Sequence, residues 1–140
     1  MELSNRDKAE AIQNSIETET LAEIGLISPT SYKQHNPNVA TGLQSILDLH
    51  EQMPMDKVYT NVVRKFQDGD YGFVHVDYFL FEPTVAFDIH RFENGISVEH
   101  WDNLQVTPKK LNKSGRTMTD GKTKAKDHHK TEVNKTLVKS

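Results

Sequence analysis

The chain has no cysteine. That excludes disulfides, thiol nucleophiles and cysteine-ligated zinc, and it fits a reducing, cytoplasmic location. No run of apolar residues approaches the ~18 that a membrane-spanning helix needs. The opening MELSNRDKAEAIQ is acidic and lacks the apolar core of an export signal. Hydrophobic residues make up only 35% of the chain and the mean hydropathy is -0.67, so part of it is expected to stay unpacked. G-x-S-x-G, a phosphate-binding P-loop, a dinucleotide glycine motif and H-E-x-x-H are all missing. Serine hydrolase, NTPase and Rossmann dehydrogenase chemistry therefore have no support.

Positive charge is scarce over most of the length. Residues 1–106 hold 7 Lys/Arg against 17 Asp/Glu, whereas residues 107–140 hold 10 against 3. The acidic part argues against a nucleic-acid-binding core. The basic tail has no aromatic residue on which a base could stack. Its plain reading is a solvated extension lying on its own acidic domain. Two regions follow: an α+β domain over 1–106, and a basic, partly ordered extension over 107–140 that regains helical character at 131–139.

Within the first region, Ser4-x-x-Asp7 imitates a capping box, and Ala9, Ile12 and Ile16 mark one face of a helix. Leu21–Leu26 is a short one-sided apolar segment, and SYKQHNPN reads as a loop. A helix is predicted over about 41–53, with Leu43, Ile46, Leu47 and Met53 inward and Pro54 closing it. From Lys57 the pattern becomes β-branched and aromatic. Strands are predicted over 57–67, 71–81, 84–92 and 96–106. Helices first and a strand meander afterwards indicate α+β, with helices covering one face of a curved sheet.

The last two strands carry two carboxylates and two imidazoles: Asp88, His90, His100 and Asp102. A two-residue turn at Asn94-Gly95 would set Phe92 opposite Ser97 and put Asp88 and Asp102 on opposite faces. The preferred three-residue loop, Glu93-Asn94-Gly95, sets Phe92 opposite Ile96 and Asp88 opposite His100. With Glu82-Pro83 as the preceding loop, Asp77 opposes Asp88 and His75 opposes His90. One face would then collect His75, Asp77, Asp88, His90, His100 and Asp102 among Phe73, Phe79, Phe92 and Val98. Apolar walls with a few converging polar groups describe a ligand cavity. Two close carboxylates in a poorly solvated space cannot both ionise cheaply, which leaves an acid beside a base near neutral pH. Taken singly, each histidine also reads as a surface or satisfied core residue. Metal binding through His75, His90 and His100 stays open as a weaker alternative.

Three stretches carry a family resemblance: YKQHNPNVATGL (32–43), RKFQDGDYGFVHVDYFLF (64–81) and FDIHRFENGISVEHWDNLQ (87–105). TMTDG (117–121) and DHHKTEVNKTLVKS (127–140) extend it. The chain resembles the SnoaL-like polyketide cyclases of the nuclear transport factor two-like superfamily. The nearest likeness is to a branch labelled SnoaL-like, predicted aldol-condensation-catalysing. The resemblance implies a cone-shaped α+β barrel, its N-terminal helices packed on a strongly curved, mostly antiparallel sheet of four to six strands. It implies a homodimer through the outer sheet face that holds Trp101. It also implies metal-free, cofactor-free acid/base catalysis on a small apolar carbonyl ligand, of aldol cyclase or isomerase type. Asp102 is then the first candidate acid/base and Asp88 the second, with His100 beside it. His35 and Asn36 would stand at the pocket mouth or wall. The family usually has an aromatic residue where this chain has His90, which makes this pocket more polar. A non-catalytic binding or protein-interaction module of the same fold remains the alternative.

Overall fold

The computed structural model describes all residues 1–140. Helix α1 spans Asn5–Glu17, strand β1 Lys33–Gln34, helix α2 Leu43–His50, and strands β2 to β5 Tyr59–Asp68, Tyr71–Phe79, Pro83–Glu93 and Ile96–Val106. After β5 the tail is irregular until a short 3-10 turn at His128–Lys130 leads into α3, Thr131–Lys139. The five strands form one sheet in the order β1-β5-β4-β3-β2, antiparallel except that β1 runs parallel to β5. Bulges at Val63 in β2 and Val98 in β5 shift the register. Each inserts an unpaired residue, and such insertions bend a strand and increase its twist.

Helix α1 starts where Ser4 Oγ accepts the backbone N–H of Asp7, as the capping pattern predicts. Its Ala9 and Ile12 are buried against Val74, Val76 and Tyr78 of β3 and Ala86 and Phe92 of β4. Gly72 permits this close crossing, because a Cβ there would lie 2.5 Å from the Asn5 carbonyl oxygen. Helix α2 is shorter than the expected 41–53 and buries no residue fully. Its Leu43, Ile46 and Leu47 cover the core only in part. Leu21–Leu26 forms turns rather than a helix, yet it sends Leu21 into the core.

Both expected hairpin registers need correction. Between β4 and β5 the turn is the two residues Asn94 and Gly95, both with positive φ (50° and 82°), not a three-residue loop. Such a pair matches the right-handed twist of a tight hairpin. Phe92 opposes Ser97, and the Val98 bulge then restores the phase, so that Asp88 opposes Asp102 and His90 opposes His100. Between β3 and β4 the loop is Leu80-Phe81-Glu82. Proline begins β4 at Pro83, where a strand's first residue can do without an N–H. The register differs from the expected one by an odd number of residues, which reverses every side chain of β3. Val74, Val76 and Tyr78 therefore face inward with Asp88 and His90. Phe73, His75, Asp77 and Phe79 face outward.

Candidate active site

The inner sheet face, α1 and α2 enclose a cavity of about 290 Å³ lined by 22 residues, 13 of them hydrophobic. Ile12 and Ile16 come from α1, Ile46 and Leu49 from α2, and the exposed side chains of Phe81 and Leu104 belong to the same wall. Asp88, His90, His100 and Asp102 of the last hairpin reach this space, and Asn36 joins them from the loop after β1. The two-residue strand β1, unexpected from sequence, places Gln34 beside His100.

A hydrogen-bonded pair occupies the cavity floor. His100 Nε2 lies 2.9 Å from Asp88 Oδ1, both side chains being buried. The other imidazole nitrogen, Nδ1, donates to Gln34 Oε1 at 2.8 Å. That oxygen is fixed as an acceptor because it also takes the backbone N–H of Asn36, at 3.1 Å. A single proton therefore lies between Asp88 and His100, held by one or the other. Asp102 accepts a hydrogen bond from Asn36 Nδ2 to its Oδ2, at 2.7 Å. Its Oδ1 is buried without a partner. Burial raises the Asp102 carboxyl above the ordinary range; Asn36 and His100 oppose the rise, and the neighbouring Asp88 charge adds to it.

The floor continues into the protein as one network. Tyr78 Oη stands between Asp88 Oδ2, at 2.9 Å, and Gln13 Oε1 of α1, and its single hydrogen can go to either oxygen. Gln13 Nε2 reaches His90 Nε2 at 3.3 Å, and His90 Nδ1 lies 3.1 Å from Ser97 Oγ. Complete burial, with the His100 ring beside it, pushes the His90 imidazole well below its usual 6.5. A neutral ring fits this arrangement: its Nε2 takes the Gln13 amide hydrogen, and its Nδ1–H goes to Ser97. Burial and the Asp88 carboxylate push the Tyr78 phenol well above its usual 10.0. The chain of contacts thus runs from Ser97 to Asp88, on to His100 and Gln34, and through Asn36 to Asp102.

Of the residues expected at the site, Asp88, His90, His100, Asp102 and Asn36 line the one cavity. The others do not. His75 stacks on Phe87 at 4.2 Å on the outer face, where its Nδ1 faces Arg64 Nη1 at 2.8 Å. Phe73 stacks on Phe66, Phe79 leans on Tyr59, and Asp77 pairs across the sheet with Asn61 and Val85. His35 points outward, stacks on Trp101 at 4.8 Å and meets Glu99 Oε1 at 2.9 Å. Phe92 belongs to the closed core and Val98 to the bulge, and neither lines the cavity. The three-histidine metal set is therefore not assembled, since His75 is on the opposite face. Asp88, His100 and Asp102 do each offer a ligand atom within 4.8 Å of the others. Such imidazole and carboxylate donors suit a divalent ion, but it would have to displace the His100–Asp88 bond.

Sequence reasoning missed Tyr32, Tyr78, Gln13 and Gln34, which also line the cavity. The alternation of β3 carries Tyr78 once the loop is counted as three residues. Nothing in the sequence pattern marks Gln13 or Gln34.

Neither a family profile nor a curated protein matches this sequence. Solved structures do match in shape. An NTF2-like protein of unknown function from Cytophaga hutchinsonii superposes with a TM-score of 0.63 at 15% identity, over 75% of this chain and 93% of that one. A candidate ketosteroid isomerase from Kribbella flavida gives 0.62 at 19% identity, over 76% and 81%. Wild-type IdmH, a candidate polyketide cyclase from Streptomyces antibioticus, gives 0.58 at 14% identity, over 73% and 92%. The chain has the α+β NTF2-like fold: three helices and a five-stranded, mostly antiparallel sheet. No helix is long and apolar enough to cross a membrane.

Proposed function

We propose that this protein is a SnoaL-like acid/base enzyme acting on a small, mostly apolar carbonyl compound, by aldol cyclisation or isomerisation. The observation that carries this reading is the Asp88–His100 pair meeting Asp102 at the floor of an apolar cavity. The pair holds one movable proton, and Asp102 is a carboxyl that burial makes more basic than usual. One group can take a proton next to the carbonyl while the other supplies one to the developing enol or alkoxide. Positioned general acid/base groups contribute about 10²–10⁴ in rate. No step in this reading calls for a metal or an organic cofactor. A homodimer through the outer sheet face, where Phe66, Tyr71 and Phe87 are exposed, belongs to the same proposal.

The substrate-independent test is hydrogen–deuterium exchange next to a ketone, followed by proton NMR in D₂O. The wild type should accelerate exchange on at least one member of a panel of cyclic and aryl ketones. Asp102→Asn and Asp88→Asn should each lower that rate by about 10²-fold or more. A second reading, a binding module, has its own support: both Asp88 oxygens and both nitrogens of His90 and of His100 are already engaged within the protein. Ketones that bind without any accelerated exchange would favour that reading and end the enzymatic one.

A further inference from the structure

The polar groups of the cavity differ in what they leave available. Asp88 is occupied by His100 and Tyr78, and His100 by Asp88 and Gln34. His90 is occupied by Gln13 and Ser97, and Asn36 by Asp102 and the N–H of Asn38. One hydroxyl in the wall has no partner within the protein and opens on the cavity. Tyr32 is 2% exposed, and none of the side-chain hydrogen bonds involves its Oη. Its ring stacks beside that of His100, with centroids 6.5 Å apart. Unlike Asp102 Oδ1, this hydroxyl is not sealed off, so a ligand or water oxygen in the cavity can accept its hydrogen.

Charge supplies the second observation. None of the residues lining the cavity is lysine or arginine. The outward-facing cations are used elsewhere: Arg64 on His75 and the tail, Arg91 on Glu93 and Glu99. The cavity instead contains Asp88 and Asp102, and His50, whose Nε2 donates to the Ile16 carbonyl at 2.8 Å. A bound anion would face two carboxylates in a poorly solvated space with no fixed cation to offset it.

We infer that the cavity selects uncharged ligands and rejects anions, and that Tyr32 receives the ligand's oxygen through its hydroxyl. The inference deepens the acid/base reading by naming the substrate class: a neutral ketone or aldehyde, not a free carboxylic acid or a phosphorylated compound. Tyr32 keeps its hydrogen throughout the working pH range, because burial and then the Asp88 and Asp102 charges suppress its ionisation. It is therefore a donor at all times, suited to an acceptor oxygen and indifferent to pH. The ligand's carbonyl would lie beside Tyr32, within reach of the protons held on the adjacent β4–β5 hairpin.

The experiment compares two probes of similar size, neutral 2-acetylnaphthalene and anionic 2-naphthoate, by titration calorimetry and amide shift mapping at pH 7.5. The ketone is expected to bind with shifts at Tyr32, His100 and Asp102. The carboxylate should bind at least about tenfold more weakly, a gap of roughly 1.4 kcal/mol. Tyr32→Phe, its fold checked by its amide spectrum, should weaken ketone binding about fivefold while leaving naphthoate weak. Asp88→Asn/Asp102→Asn should narrow the gap between the probes. A gap below tenfold in the wild type overturns the inference, and so does Tyr32→Phe binding the ketone as well as the wild type. Failure of both probes to bind also overturns it. If the selectivity holds but no ketone shows accelerated exchange, the inference stands and the enzymatic reading falls. Accelerated exchange without selectivity gives the converse result.

Discussion

On the proposed reading, Asp102 would serve chemistry at the expense of stability. Its ionised form has one good partner, Asn36, while Oδ1 is sealed in the protein without any. Burial holds its carboxyl above the unfolded value of 3.8, so the folded state binds a proton more tightly than the unfolded chain. Its contribution to folding is fully present below about pH 3.8 and is lost as pH rises through the folded value. At pH 7 the ionised group is a burden. Asp102→Asn, which keeps the shape and removes the charge, is therefore expected to raise the melting temperature at pH 7. The gain should shrink steadily as the pH is lowered toward 4. Calorimetric melts of both proteins between pH 4 and 8 check this. A lower melting temperature for Asp102→Asn at pH 7 would mean that the carboxylate is kept for structure. The same variant is expected to lose the proton-exchange activity, so stability and function would move in opposite directions at one residue.

At the level of elements, α1 crosses β3 at Gly72 with no room for a side chain. A Cβ on Gly72 would stand 2.5 Å from the Asn5 oxygen, 3.0 Å from its carbonyl carbon and 3.1 Å from Ala9 Cβ. Two of those atoms are backbone, so a methyl group there can be housed only by lifting the helix. Gly72→Ala is expected to cost about 1–3 kcal/mol, the range for overpacking, in urea denaturation. Because α1 also carries Ile12, Gln13 and Ile16 to the cavity, ligand binding should weaken with it. An unchanged urea midpoint would show that the helix can tilt freely. The same elements explain what the sequence made legible. The four long strands and α3 were readable because period and composition change sharply at their ends. Leu80 and Phe81 continue the apolar run of β3, so the loop that begins there left no mark, and a miscount of an odd number of residues put His75 and Asp77 on the wrong face. On β4 and β5 the two errors cancelled: a shorter turn and the unforeseen Val98 bulge left Asp88 and Asp102 together. A two-residue strand such as β1 has no periodicity to read, which hid Gln34. Gln13 was hidden because its role depends on which strand residues α1 crosses.

Across the whole molecule, the basic tail returns to the acidic domain at one well-defined place. Arg64 of β2 donates from Nη2 to the carbonyls of Thr119 and Asp120, at 3.1 and 3.0 Å, and from Nε to that of Lys122, at 3.2 Å. Met118 borders a groove there with Val85 and Phe87. Farther on, Lys135 of α3 meets Asp68 at 2.7 Å, but that pair is exposed and screened by solvent and salt, so it holds the tail only weakly. Arg64 is therefore the principal tie, and it shares its remaining nitrogen with His75 Nδ1. That nitrogen can accept only while the ring is neutral. Burial and then the Arg64 charge hold the His75 imidazole below its usual 6.5, with Asp77 opposing them. The lowered value means that the contact is fully present above pH 6.5 and is lost as pH falls through the folded value. Protonation then sets two cations side by side and should release the segment 117–122 from the outer sheet face. Heteronuclear NOE measurements should find this segment as ordered as the strands at pH 7.5 and progressively more mobile as the pH is lowered and the His75 imidazole protonates, which its ring shifts report in the same samples. Arg64→Ala should loosen it whatever the charge on that ring, whereas Lys135→Ala should leave it in place. Order retained in the wild type once the His75 ring shifts show it protonated would mean that the backbone carbonyls alone hold Arg64. The outer face would then keep the tail at any pH, and a second subunit docking there would have to accommodate it.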